Sequence, residues 1–212
     1  MIPANHSSGE PPKDSKRNFT DAFIRHAHEI LFAGYQRLDA KSYSNSEEDE
    51  ITGDLATEMN EVLSNDPSPW MRSFQVHDQH PVTKRGKPGA NRRVGKRRWK
   101  IDLKFVANTG SGMRHFSWEA KRLGPGNAIG KYLGADGMGC FINGQYSGDC
   151  DFGGMLGYAQ SGNSKSWYDV LTQRMPEITI PEDFPTDSRC SIHPRPGLER
   201  AIEITHTILS FN

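Results

Sequence analysis

Three side chains stand where their types and spacing permit chemistry: Asp102, Glu119 and Lys121. Asp102 interrupts an apolar run, Ile101-Asp102-Leu103, and Glu119-Ala120-Lys121 interrupts a second run, from Phe116 to Leu123. Side chains alternate across a strand, so Glu119 and Lys121 share a face. Between the runs lies Asn108-Thr109-Gly110-Ser111-Gly112, a good hairpin connection that makes them antiparallel neighbours and brings Asp102 beside Glu119. Two carboxylates a few ångströms apart repel each other and need a cation. With no Cys or His alongside, these hard oxygen donors select one or two Mg²⁺ or Mn²⁺ ions over Zn²⁺. Such an ion activates water and stabilises charge on a phosphoryl oxygen. Lys121 beside it would orient or deprotonate water, or neutralise the transition state. A Glu-x-Lys alone is common on solvated strand faces. Here both acids break aromatic and aliphatic runs, which is costly unless something uses them.

The elements that must position these groups are legible in outline. Residues 1–17, rich in Ser, Pro, Gly and charge, read as a disordered tail. A helix capped near Thr20 follows, with Phe23, Ala27, Ile30, Leu31 and Leu38 on its apolar stripe, Gly34 weakening its last turns, and His26 and His28 expected at the surface. Residues 39–46 read as a linker, which closes an N-terminal helical extension spanning 18–46 and leaves 47–212 as the main domain. A second helix over about 47–64 buries Ile51, Leu55, Met59, Val62 and Leu63. Three strands are expected at 71–77, 99–107 and 113–123. They are followed by a helix near 137–146, a strand near 152–160, a helix near 164–175, a proline-rich loop over 176–198 and a last strand over about 200–210. The sum is an α/β fold: a central mixed sheet flanked by helices.

The net charge of zero conceals a segregation. Residues 1–66 carry six basic and thirteen acidic side chains, a net −7, whereas residues 67–104 carry eleven and two, a net +9. Lys84, Arg85, Lys87, Arg92, Arg93, Lys96, Arg97, Arg98 and Lys100 fall within 17 residues that hold no acid, and Lys104 extends the charge up the Asp102 strand. Gly86, Pro88, Gly89 and Gly95 make most of that block a loop. A basic loop leading into the Asp102 strand suits a phosphate backbone and predicts salt-sensitive binding; it promises no base-specific contacts.

These features resemble the PD-(D/E)xK, restriction-endonuclease-like nucleases. The matching residues are Ile101-Asp102 and, 17 residues on, Glu119-Ala120-Lys121, within the element order helix, three strands, helix, strand over roughly 47–160. Ile101 stands where the named pattern has Pro, a position that varies widely in the family. The resemblance implies a Mg²⁺-dependent nuclease acting on nucleic acid, with double-stranded DNA first, in phage defence, restriction or repair. It implies that the Ala120 carbonyl completes the metal shell. It also implies an acid from the first core helix, for which Glu48 lies on the inward stripe and Glu50 is the alternative. Gln145 and Tyr146, on the helix expected at 137–146, would orient water or substrate.

Several classes are excluded. Gly126 to Tyr132 is one residue short of a P-loop, and Tyr132 stands where Ser or Thr should hold Mg²⁺, so a nucleotide hydrolase is rejected, although Lys131 remains placed to touch phosphate. Cys140, Cys150 and Cys190 lack C-x-x-C spacing and read as reduced thiols of a cytoplasmic protein. The N-terminal segment has no apolar core of a secretory signal, and no run of 18 apolar residues predicts a membrane span. Two alternatives stay open: a catalytically inactive nucleic-acid-binding module, and a subunit that docks on a partner through the acidic N-terminal region. Homodimerisation is an alternative source of target choice.

Overall fold

In the computed structural model the described residues are 13–82, 99–109, 112–126, 128–181, 184 and 188–212. Their order is α1 (Lys13–Tyr35), α2 (Glu48–Asn65), β1 (Phe74–Pro81), β2 (Lys100–Thr109), β3 (Gly112–Leu123), α3 (Ala128–Leu133), α4 (Gly139–Ile142), β4 (Phe152–Ala159), α5 (Ser164–Arg174), β5 (Arg189–His193) and β6 (Ile202–Ser210). The strands form one six-stranded mixed sheet, ordered β1-β2-β3-β4-β6-β5. β1, β2 and β3 are antiparallel in succession, β4 runs parallel to both β3 and β6, and β5 returns antiparallel to β6. The expected α/β architecture, a mixed sheet flanked by helices, is the one observed.

Two apolar clusters show why the sheet is covered on both faces. One joins Phe23, Ala27, Leu31, Ile51, Leu55 and Met59 of α1 and α2 to Leu103, Phe105, Phe116 and Trp118 of the sheet. The other joins Tyr132, Phe141 and Leu171 of α3, α4 and α5 to Met155, Ile204 and Ile208. α1 ends one residue after Gly34, so the expected last turn is not formed. A Cβ there would lie 2.7 Å from Met59 Cγ, so the glycine lets α1 and α2 approach closely. Likewise Gly154 of β4 stands opposite Trp118, whose indole fills the space a Cβ would need, 2.2 Å away.

Several expectations need correction. α1 already runs from Lys13, so residues 13–17 are helical, and it stops at Tyr35, leaving Leu38 beyond it. His28 is fully buried: its Nδ1 lies 2.8 Å from the Ile24 carbonyl, and its ring packs on Phe116, Trp118 and Phe184. β1 begins three residues late because Pro69–Ser73 forms a 3₁₀ turn with Pro at its start. The helix expected at 137–146 is only the single turn of α4, with Gly144 at φ +68 closing off its C-terminal side. Within the expected loop 176–198 lies β5, a short edge strand hidden from pattern reading by the prolines around it. No helix among the described residues is long and apolar enough to cross a membrane. All three cysteines are free.

Candidate active site

The site grows out of a change of neighbours along β3. From Gly112 to Trp118 this strand pairs with β2, ending at Leu103 opposite Trp118. From Trp118 to Leu123 it pairs with β4. The sheet forks there, and Asp102 fills the fork: its Oδ2 accepts a hydrogen bond from the Ala120 N–H at 2.8 Å. Glu119 and Lys121 project from the same face of β3, as strand alternation requires, and the Lys121 Nζ donates to Glu119 Oε1 at 2.8 Å. The ammonium also donates to the Ala120 carbonyl at 2.5 Å and lies 3.9 Å from Asp102 Oδ2.

α2 supplies the fourth member from its first turn. Glu48 Oε1 accepts from Lys121 Nζ at 3.1 Å, and Oε2 accepts from the Arg122 N–H at 3.0 Å. The turn is held from beneath: Thr52 Oγ1 donates to the Glu48 carbonyl, which leaves the Tyr158 hydroxyl to donate to Thr52 across 2.9 Å. Asp102, Glu119, Lys121, Glu48 and the Ala120 carbonyl thus converge. Glu50, the alternative to Glu48, is exposed.

The electrostatics follow from burial. Asp102 is 8% and Glu119 5% exposed. Burial, reinforced by the charge of Asp102, pushes Glu119 up to about 9, so it holds a proton at neutral pH. Burial also raises Asp102 and Glu48 above the usual carboxylate range. Burial opposes the charge on Lys121, but Glu119, Glu48 and Asp102 together overcome it and hold the ammonium above its ordinary value. Glu119 Oε2 is buried and has no hydrogen-bond partner among the described residues. Three carboxyl groups, one of which keeps an unpartnered buried oxygen, and a carbonyl surround one monovalent cation. These oxygen donors are of the type a hard divalent ion takes, and Asp102, Glu119, Glu48 and the Ala120 carbonyl would hold one. Their carboxylates are spread around the Lys121 ammonium. Among the described residues, only His115, Asp149 and Cys150 bring three His, Cys or carboxylate ligand atoms within 4.8 Å of one another.

The other expected site residues are dispersed or undescribed. Lys84, Arg85, Lys87, Arg92, Arg93, Lys96, Arg97 and Arg98 lie outside the described residues. Lys100 is exposed at the start of β2, and Lys104 is half-buried on it. Lys131 is exposed on α3. Gln145 and Tyr146 sit in the turn after α4, not on a helix. The Gln145 amide donates to Cys140 Sγ, and the buried Tyr146 hydroxyl donates to the Lys100 carbonyl at 2.6 Å, two residues from Asp102. Tyr146 therefore fixes the strand that carries Asp102.

One further group at the site, Gln79, carries no signal in the sequence. The Gln79 amide donates to Asp102 Oδ1 and to Asp49 Oδ1, each at 3.2 Å, and so ties β1 and α2 to the site. Gln79 achieves this with φ +45, a left-handed conformation uncommon outside glycine. No residue pattern around His77 or His80 signals it. Comparison with known protein families, with curated proteins and with solved structures finds no match for the chain.

Proposed function

We propose that the protein is a divalent-metal-dependent nuclease with a restriction-endonuclease-like core, acting on DNA. The observation that carries this reading is the convergence of Asp102, Glu119, Glu48 and Lys121 at the fork where β3 leaves β2 for β4. The run of nine basic residues between 84 and 100, which leads directly into β2, supports a polyanionic substrate.

The reaction is hydrolysis of a phosphodiester. A water oxygen bonds to phosphorus, the bond to the leaving 3′ oxygen breaks, and one water proton ends on that oxygen through solvent. When bound, Mg²⁺ supplies Lewis-acid polarisation of the phosphoryl oxygen and lowers the proton affinity of water. The chain's own groups do the rest. Asp102 is held in place by the Ala120 N–H and the Gln79 amide. Glu119 is the carboxyl that must release its proton before the donor set carries full charge. Lys121, kept protonated by its acidic neighbours, works as a donor that aligns water and offsets charge on the phosphoryl group, not as a base.

The test is cleavage of plasmid DNA by the purified full chain with Mg²⁺ or Mn²⁺. Asp102→Asn, Glu119→Gln and Lys121→Ala are each expected to slow cutting by about 10²-fold or more, with the circular dichroism of the fold retained. No cleavage of DNA or RNA with either ion would remove the proposal. One observation favours a second reading, a binding module without catalysis: Lys121 already compensates part of the carboxylate charge. Titration with Mn²⁺ separates the two readings, since the module takes up no ion.

A further inference from the structure

A second polar cluster hangs on the other half of β3. His115 of β3, Asp149 and Cys150 each offer one ligand atom, and the three atoms lie within 4.8 Å of one another. His115 Nε2 stands 3.5 Å from Cys150 Sγ, and Cys150 Sγ stands 3.7 Å from Asp149 Oδ1. Zinc bonds of about 2.0–2.1 Å to nitrogen and about 2.3 Å to sulfur, at a tetrahedral angle, put those two ligand atoms about 3.5 Å apart.

The ligand-bearing loop is built, not loose. Arg195, only 5% exposed, sends its guanidinium into the loop's backbone, donating to the Ser147 and Cys150 carbonyls at 2.9 and 3.0 Å. Its third arm reaches Asp151, and its Nε donates to the Arg200 carbonyl. Ser147 adopts φ +49 where the loop turns. A buried charge spent on holding main-chain carbonyls around Cys150 is the kind of support that orients metal ligands. The cluster is no part of the carboxylate site. His115 precedes Glu119 by four strand residues, about 13 Å at about 3.3 Å per residue, whereas paired catalytic ions lie about 3.5–4 Å apart.

We propose that His115, Asp149 and Cys150 bind one Zn²⁺, with solvent in the fourth position, and that the ion pins the segment after α4 to β3. One nitrogen, one sulfur and one carboxylate oxygen favour a borderline-soft ion over the Mg²⁺ or Mn²⁺ suited to the all-oxygen site. Lys104, half-buried on the neighbouring strand, interacts electrostatically with Asp149 and Cys150 and is the cation with which the ion competes. The same segment carries Tyr146, whose hydroxyl holds the start of β2. The ion would therefore stiffen a support of the carboxylate site from a distance.

The experiment is titration of the full, reduced, metal-free chain with Co²⁺ as a spectroscopic stand-in, followed by competition with Zn²⁺. One equivalent per chain should raise a near-ultraviolet thiolate-to-cobalt band that Zn²⁺ bleaches, and Zn²⁺ should raise the melting temperature. Cys150→Ser should remove the band. Asp149→Asn, an exposed position that leaves the fold intact, should weaken binding by more than about tenfold, the scale on which even outer partners of metal ligands act. Cys190→Ser should keep the band. Absence of a thiolate band, or a band that survives Cys150→Ser, would overturn the assignment. Cobalt held by the carboxylates alone gives no thiolate band, so loss of the nuclease reading and loss of this one are separately visible.

Discussion

β3 carries two polar clusters, and they differ in nearly every physical respect. At one end Asp102, Glu119 and Glu48 offer oxygen only, are largely buried, and already enclose an ammonium. At the other, His115, Asp149 and Cys150 offer nitrogen, oxygen and sulfur, and Asp149 is exposed. The first is assembled by long-range pairing: a fork in the sheet, a helix from 70 residues upstream, and a main-chain N–H donating to a carboxylate. The second is assembled by one loop and one strand, with a buried arginine as brace. The lesson is that an arrangement suited to reaction stores unfavourable electrostatics, while one suited to clamping a loop needs mainly shape.

The largest effect should follow from changing the charge of the buried end while keeping its shape. Glu119→Gln and Asp102→Asn should each lower the cleavage rate by about 10²–10³-fold, the scale for removing one preorganised electrostatic contact. Both variants should retain the thiolate-to-cobalt band. If Glu119→Gln lost that band as well, the two ends would be one site and the contrast would fall.

Next comes the ammonium. Lys121→Met leaves the acids of the fork facing each other without a cation, and breaking such a buried pair from one side costs about 3–5 kcal/mol. The expected result is a lower melting temperature in the absence of divalent ions, and a larger stabilisation by Mn²⁺ than the wild-type chain shows. Equal stabilisation of both proteins would mean that Lys121 does not occupy the cation's place.

The pH dependence is smaller and its sign is fixed. Glu119 is raised from 4.5 to about 9 in the fold, chiefly by burial. Between those values the folded chain binds more protons at this position than the unfolded chain, so the contribution to stability falls as pH rises, by about 1 kcal/mol per pH unit. Denaturant titrations from pH 5 to 9 should show the decline, and Glu119→Gln should flatten it. Binding of Mn²⁺ at pH 7 should expel about one proton per chain, measurable as a buffer-dependent heat. No proton release would place the carboxyl already ionised and remove the stored electrostatic strain.

How much of this the sequence disclosed depends on the range of the interaction. Asp102, Glu119 and Lys121 were legible because alternation and a glycine-rich connection are local, and the pairing of Thr109 with Gly112 closes that hairpin as expected. Glu48 needed the helix stripe together with the family resemblance. His28 sits four residues after Ile24 and three before Leu31, a buried spacing, but its place only two residues from His26, too close for the pair to share a helix face, points to the surface. β5 could not be read because five residues between prolines carry no periodicity. The His115–Asp149–Cys150 cluster joins residues more than thirty apart through a loop whose shape comes from Arg195, and no spacing encodes that.

Gln79 gives the finest test, because strain and contact pull in opposite directions there. Its left-handed backbone costs about 1–2 kcal/mol for a residue with a Cβ, while its amide bonds to Asp102 and Asp49 return about 1 kcal/mol. Gln79→Gly relieves the first and loses the second, so its stability should stay within about 1 kcal/mol of the wild type. Gln79→Ala keeps the strain and loses the bonds, and should fall below the glycine variant by about 1 kcal/mol. Cleavage should drop in both, since neither holds Asp102 Oδ1. A glycine variant as active as the wild type would mean that the Ala120 N–H alone positions Asp102, and that the buried end of β3 stores less strain for function than the contrast with its clamped end requires.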